Sequence, residues 1–555
     1  MKKIFTSLLL LVSALSAGAQ DIYSATSISE NNYSGTARSA ALGNAMTAVG
    51  GDLGSFAINP AGSAVSPFNQ LVISPGISVA FNSSRYAPTF DISQRGPSEK
   101  DFGPAEKSSY TRFVIPEIGF NFNFETGNSY GLVGFSVGFL SSVTNNYTDY
   151  AFASGTNVET SMLGALASDA TRDLYNDFWS LNDEVAAGSY MILRGSDVDP
   201  RLGESQFFGV TESPDEYGIW STKGEENPLI QSSSVRSFGV KNDVLFNMGF
   251  NISNICYLGF NLGMPRSVYN YQEGFTERAT YPDRYDIYRS KDFFKSSTYG
   301  YELNRVVTGI YAKFGAIVLP MKNLRVGFAV QTPVSYNVSE AFKVSGNMTT
   351  DKYSNNSTAS DSWAYRLRAP YRLNAGVAYT FSNRAFASID YEMSDYSVMK
   401  FSQLYDYPAD YYYTNNQNRL FRGVQHMLRL GVEYRVTTEF SVRAGYNTTT
   451  SPEKYYQYNG EKVTADNYYD FQGVPLGRAY YFSDRTKAFS AGVGYSTHGS
   501  LFFDLAARLT QYPATTFLPY SDYIYDSDNI LSVPSPSISS SRSLLDIIFT
   551  IGCRF

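Results

Sequence analysis

Residues 117–139 read E-I-G-F-N-F-N-F-E-T-G-N-S-Y-G-L-V-G-F-S-V-G-F, and this stretch decides the fold. Ile118, Phe120, Phe122 and Phe124 alternate with Gly119, Asn121 and Asn123. After the turn Thr126–Ser129, Val133, Phe135, Val137 and Phe139 alternate with Gly134, Ser136 and Gly138. A period of two puts each set on its own face of a strand, and polar turn residues between two such runs make a hairpin.

The same unit recurs along the chain. Val244, Phe246, Met248, Phe250 and Ile252 lead through a turn near Asn254 into Leu258, Phe260, Leu262 and Met264. Further hairpins turn at Pro320–Asn323, Ser382–Arg384, Thr437–Glu439 and Thr497–Ser500. A single strand, Leu71–Phe81, precedes the hairpins, and Leu545–Phe555 closes the chain. The spacing therefore predicts fourteen strands joined alternately by short turns and by polar loops at about 82–116, 141–242, 265–304, 333–364, 397–425, 448–486 and 511–543. Tight turns on one side and long loops on the other are the pattern of an outer-membrane barrel, with both chain ends on the periplasmic side. The apolar face carries almost no charge, as lipid requires when Lys or Arg at mid-bilayer costs roughly 2–4 kcal/mol. The other face is Gly, Asn, Ser and Ala, which suits a crowded lumen. Backbone groups in lipid must all be paired, so the fold class is all-β: a closed, 14-stranded antiparallel transmembrane barrel.

Composition agrees. Mean hydropathy is −0.23, which excludes a helical membrane protein. Tyr (45) and Phe (39) far outnumber Trp (3), a supply that aromatic girdles at the two interfaces would absorb. The net charge of −7 without a basic tract excludes nucleic acid as a partner. One barrel with its loops (71–555) accounts for the length. Residues 1–19 read as a signal peptide: Lys2 and Lys3, an apolar run Ile4–Leu15, and Ala17-Gly18-Ala19 before a mature Gln20.

Chemistry is restricted by inventory. Cys256 sits at a turn and Cys553 in the last strand, far apart in sequence. His426 starts a strand on the lipid-facing register and His498 lies in a periplasmic turn, neither placed beside a nucleophile. Asp522, Asp526 and Asp528 read as a solvated acidic loop rather than a cation site. No catalytic residue, cofactor or metal is expected.

Function begins to show between the signal peptide and the barrel. Residues 20–70 contain G-T-A-R-S-A-A-L-G-N-A-M-T-A-V-G-G-D-L-G-S-F-A-I-N-P-A-G from Gly35 to Gly62, with a helix expected over Ala37–Val49. The stretch ends at Asn59, Pro60, Ala61 and Gly62; Asn before Pro starts turns and Gly finishes them. A compact small-residue segment just before the first strand is able to fold back as a hatch that plugs the lumen.

These residues resemble the FadL/TodX family of outer-membrane transporters for long-chain fatty acids and other hydrophobic compounds. Gly35, Ala37, Ala40, Gly43, Ala45, Ala48, Asp52 and Asn59–Gly62 match the family's hatch signature. D-Y-E-M-S-D-Y-S (Asp390–Ser397), L-R-L-G-V-E-Y-R-V (Leu428–Val436), S-V-R-A-G-Y (Ser441–Tyr446) and S-A-G-V-G-Y (Ser490–Tyr495) match later strands in order. The match fades over 82–242, and the Tyr- and Asn-rich style is similar to Bacteroidetes-type members, some labelled haemin receptors. The resemblance implies passive uptake of a hydrophobic or amphipathic small molecule, most readily a long-chain fatty acid, by hatch rearrangement. A kink in the third strand would release the ligand sideways, with Gly131, Gly134 and Gly138 as the candidates. Alternatives are a haemin receptor and a barrel that docks a secretion or assembly partner.

With the apolar register outward, the lumen receives Lys313, Arg325, Arg372, Asp390, Glu392, Arg429, Glu433, Arg435, Arg443, Asp504 and Arg508. A network holding the hatch is their expected role, with Arg429, Glu433, Arg435 and Arg443 facing Asn59 and Pro60, and the basic excess leaving an Arg for a ligand carboxylate. The expected partners are the hydrophobic ligand, outer-membrane lipid, and the assembly machinery, whose recognition signal the aromatic C-terminal Phe555 resembles. The protein is expected to be a monomer of the Gram-negative outer membrane.

Overall fold

The computed structural model describes residues 22–88, 102–158, 160–175, 177–198, 203–214, 220–222, 228–287, 290–382, 384–404, 411–453, 456–458, 461–463, 481–482, 485–497, 500–520, 522–526, 529–533 and 536–555. The signal-peptide reading of Met1–Ala19, His498 and Asp528 lie outside the described residues.

The wall consists of β1 (Gln70–Ala87), β2 (Glu106–Glu125), β3 (Leu132–Asn146, continued by Asp149–Asn157), β4 (Leu229–Ile252) and β5 (Cys256–Ala279). Then come β6 (Phe294–Met321), β7 (Leu324–Gln331, continued by Ser335–Thr350), β8 (Ser354–Arg368, continued by Arg372–Phe381) and β9 (Ala385–Asp395, then Lys400–Gln403). β10 (Val424–Arg435), β11 (Phe440–Thr450), β12 (Arg485–Ser496), β13 (Leu501–Gln511, then Thr515–Phe517) and β14 (Ser537–Arg554) complete it. Each strand pairs antiparallel with the next, and β14 returns to β1 from Gln70↔Arg554 to Ala87↔Ser537, so the ring of fourteen is closed. All six hairpins turn where the sequence places them. At the β4–β5 turn Ser253 and Asn254 take φ of 54° and 55°, the left-handed backbone that reverses a chain sharply.

The outward face is the apolar one. Phe113, Phe314 and Phe328 are 65, 55 and 54% exposed, and Ile77, Ile310, Val377, Ile389, Val432 and Leu505 share their face. Phe68, Tyr130, Tyr379, Phe381, Tyr434, Tyr495 and Phe555 ring the end that carries the short turns. Exposed apolar surface on this scale has no place in water, and the aromatic ring marks the membrane boundary.

The strands run much further than their apolar part. At about 3.3 Å per residue β6 is on the order of 90 Å long, several times the apolar band of a membrane barrel. The stretches read as loops at 265–304 and 333–364 are therefore largely strand, in β5 and β6 and in the β7–β8 hairpin. The reason is physical. Outside the bilayer neither face must be apolar, so the period-two signal disappears while the backbone ladder continues. The segment 160–210 behaves differently: α-helices at Met162–Tyr175 and Leu181–Gly188 pack Leu163, Leu166, Ile192 and Phe207 into a cap core with Phe275, Phe294 and Met348 of the extended wall.

This topology is testable by thiol labelling of intact cells in a Cys256→Ala/Cys553→Ala background. Tyr175→Cys in the cap is expected to react with an impermeant reagent, and Lys322→Cys in the β6–β7 turn only after permeabilisation; the opposite pattern would invert the barrel.

Candidate functional site

Residues 22–66 lie inside the lumen as a hatch. α1 (Ile22–Ser29) enters, α2 (Ala37–Ala41) follows, and two 3-10 turns at Leu53–Ser55 and Pro60–Val65 lead to β1. The helix expected over Ala37–Val49 ends at Ala41, because Gly43 and Asn44 adopt left-handed backbone, with φ of 63° and 60°. Local caps fix the rest. Thr36 Oγ1 accepts from Ser39 N and donates to Asp52 Oδ1 at 2.7 Å, and Asp52 Oδ1 also accepts from Gly54 N. Asn59 Oδ1 accepts from Ala61 N while its Nδ2 donates to Thr47 O at 2.7 Å and to Ala316 O of β6 at 3.1 Å, with Pro60 at the first helical position. Asn59, Pro60, Ala61 and Gly62 are thus the turn that pins the hatch to the wall, and all are buried.

The wall yields to the hatch through a collar of glycines. Ser136–Gly249–Gly259–Gly315 and Ser388–Gly431–Gly445–Ser490 are runs of directly paired residues across neighbouring strands. A Cβ on Gly259 would sit 2.2 Å from Ala61 N, on Gly431 2.6 Å from Leu42 O, and on Gly445 2.1 Å from Gly43 N. Glycine within a strand is locally unfavourable, and its use here is close backbone approach.

The lumen side chains answer the hatch backbone one group at a time. Asn121, Asn247 and Asn261 donate to the carbonyls of Ser63, Pro60 and Phe56. Ser388 and Ser490 donate to Ala45 O and Ala41 O, and Asp390 Oδ2 accepts from Thr47 N at 2.6 Å. Cations do the same: Lys313 to Ala57 O at 2.7 Å, Arg325 to Val49 O at 2.6 Å, Arg508 to Tyr33 O, Arg372 to Ser29 O, and Lys241 to Ile28 O and Glu30 O. The last three carbonyls end α1, where the helix dipole favours positive charge. The lumen is occluded by the chain's own N-terminal segment. This is an outer-membrane barrel with a hatch.

No protein-family model and no curated protein matches the chain. Among solved structures, a Pseudomonas aeruginosa FadL homologue is similar at TM-score 0.46 and 11% identity, covering 94% of this chain and 98% of that one. The Pseudomonas putida toluene transporter TodX gives 0.45 and 11%, over 94% and 99%, and the Ralstonia pickettii toluene transporter TbuX 0.43 and 11%, over 93% and 97%.

The charges form two clusters. Glu392 receives Arg372 Nη1 at 2.9 Å and Arg429 Nη2, all three buried, with Arg429 over the ring of Tyr33 at 5.4 Å. Glu433 binds Arg38 of the hatch at 2.9 Å and Arg443 at 2.6 Å, and Arg443 reaches on to Asp504. The partners expected for Asn59 and Pro60 differ: those residues meet β4 and β6, whereas Glu433, itself paired with Arg443, holds Arg38, and Arg435 is exposed at the periplasmic rim. Much of the basic excess is absorbed by hatch carbonyls, which take Lys313, Arg325, Arg372 and Arg508. Lys241 and the pair Arg305–Glu340, whose Arg305 Nη2 donates to Ser24 Oγ, were legible by extending the strand register but were not singled out from sequence. His426 meets the Tyr391 hydroxyl at 2.6 Å on the exposed face.

Between β2 and β3 the wall changes. Their pairing covers Glu117↔Ser142 to Glu125↔Gly134 and stops there. Beyond it, among the described residues, Glu106–Val114 of β2 pairs with β1 alone, while β3 shifts register at Val143/Asn145, breaks at Tyr147–Thr148, and pairs with β4 alone. The inward-stepped part of β3 is tied to the lumen face of β1 and β2 by Asn82 to Tyr150 O and Ser108 to Tyr150 O. Arg236 of β4 spans the outer part of the seam to the Tyr110 hydroxyl at 3.1 Å. Of the third-strand glycines, Gly131 lies in the turn with φ of 71°, Gly134 lies at a register shift near the periplasmic end, and Gly138 faces Phe56 of the hatch. The break itself falls further along, at residues without glycine.

Outside the membrane, the cap carries a titratable helix start. In α4 (Leu181–Gly188, following α3, Met162–Tyr175), Asp183 Oδ2 accepts from the Ser180 backbone N–H and hydroxyl at 2.7 and 2.6 Å. Burial pushes its carboxyl up to about 7, and Asp173 and Asp169 add to the shift.

Two outcomes are expected. Gly445→Val should leave a heat-modifiable barrel but dislodge the hatch, raising planar-bilayer conductance several-fold; unchanged conductance would contradict the collar. A raised carboxylate pKa means the folded cap holds its proton more tightly than the unfolded chain, so cap stability should fall as pH rises from about 4 to about 7 and then level off. Trp179, 5.3 Å from Phe207 in the cap, reports this by fluorescence, and Asp183→Asn should flatten the profile.

Proposed function

We propose that this barrel takes up hydrophobic or amphipathic small molecules across the outer membrane without an energy source, as a transporter of the FadL/TodX type, with long-chain fatty acids as the leading substrate class. The observation that carries the reading is the seam between β2 and β3. A barrel whose lumen is blocked by a sealed hatch gives a ligand no straight path, and a seam in the wall supplies a lateral one. It adjoins lipid, since Phe113 and Ile115 on the outer face of β2 are 65 and 47% exposed. Its inner side is polar: Arg112 Nη1, Glu117 Oε1 and Thr148 Oγ1 are buried there with no hydrogen-bond partner among the described residues. Such groups are costly to leave unmet, and an amphipathic ligand's head or water meets them. In this reading an apolar tail slides out past Phe113 while the head is passed along Arg112.

A photo-crosslinking residue placed at Val114, beside the seam, should capture a labelled long-chain fatty acid in intact cells, whereas the same residue at Phe489 on the far wall should not. Equal capture at both positions would remove the lateral route. Replacing Asn59-Pro60 with Gly-Gly, which unpins the hatch from Ala316, should change the uptake rate at least several-fold with the barrel intact; an unchanged rate would separate the hatch from transport.

A further inference from the structure

Where the hatch meets the periplasmic ends of β7 to β10, a chamber of about 200 Å³ opens beside Val49 and Gly50. Four arginines line it: Arg38 from the hatch, and Arg325, Arg384 and Arg435 from the wall. Among the described residues the one lining carboxylate is Glu433. That carboxylate is already shared between Arg38 at 2.9 Å and Arg443 at 2.6 Å. Arg325 has a neutral partner, the Val49 carbonyl, and Arg384 and Arg435 stand exposed at the mouth. The clusters around Glu392 and Glu340 are closed by their carboxylates and, for Arg372, by a hatch carbonyl; here positive charge is left over and faces an open space.

We infer that this chamber is an oxyanion site, taking the phosphate or carboxylate head of a single-chain amphiphile or a free anion of the same chemistry. Guanidinium forks match both oxyanions with paired hydrogen bonds, and a concave site with excess positive charge raises the local concentration of anions. Phe386, with Arg38 stacked on its ring at 5.9 Å, and Ala378 add an apolar neck beside the charged floor. The volume admits a head and its first methylenes and excludes a whole long chain. The site does not depend on the transport reading, because anion binding at the periplasmic mouth and lateral uptake have separate readouts.

The test is calorimetric titration of the full barrel, in nanodiscs of zwitterionic lipid at low ionic strength, with inorganic phosphate, octyl phosphate and octanol. Arg384→Gln/Arg435→Gln removes two charges that hold neither hatch nor wall, and Arg435→Glu inverts one. Octyl phosphate is expected to bind to the parent, to weaken at least tenfold in both variants, and to weaken with added salt, while octanol does not bind. Octyl phosphate binding much more tightly than phosphate identifies an amphiphile's head; equal binding identifies a free oxyanion. Binding of neither anion, or equal binding to parent and variants, overturns the site. Heat-modifiability and fatty-acid uptake, measured alongside, show that the barrel is folded and report on transport separately.

Discussion

The constraint on which the rest depends is that a segment with little regular secondary structure must sit in a closed lumen with its backbone satisfied. A buried carbonyl left without a donor costs about 1–3 kcal/mol, and the hatch brings many. The wall supplies donors in two grades. Asn and Ser reach carbonyls that lie close, as Asn121, Asn247 and Asn261 do around the Asn59–Gly62 turn. Lys and Arg reach carbonyls further from the wall, as Lys241 and Arg372 do at the end of α1. A cation on a neutral acceptor is normally a poor use of charge in a buried site. Here it gives the hatch many separate attachments, each modest.

Close approach is the complement of that scheme. Asparagine side chains span the gap to the hatch backbone only because the glycines beside them let the two backbones nearly touch. Gly315 carries this furthest, since a Cβ there would overlap Asn59 Oδ1 itself at 1.9 Å. Side-chain donors and missing side chains alternate along the lumen face, and each needs the other. A methyl group at one collar position would therefore break hydrogen bonds at its neighbours as well as clash.

The barrel was legible because lipid imposes a strict alternation: the face bearing Phe120, Phe122 and Phe124 must be apolar at every second residue, and the turns between such runs must be polar. Strand ends were not legible, because the constraint stops at the bilayer surface; Tyr269–Glu277 carries no alternation yet continues the β5 ladder. Asn59–Gly62 could be found as a turn from residue chemistry, but its partners could not, since Ala316 and Asn247 are selected by barrel curvature and not by any local pattern. Of the third-strand glycines, Gly134 lies at a register shift near the periplasmic end, away from the seam. Strand glycines such as Gly138, Gly259, Gly431 and Gly445 mark where the hatch touches, and the seam in the wall instead follows from a register shift at Val143/Asn145 that leaves no compositional trace.

The seam and the hatch are coupled through one strand. The inward-stepped part of β3 lies beside the hatch's first residues: Asn32 N donates to Thr144 O and Ser34 N to Val143 O. These two bonds fall on the register shift where β3 parts from β2. The hatch thus supplies backbone partners that β2 would supply in an unbroken wall, and in doing so it holds β3 in its inward course.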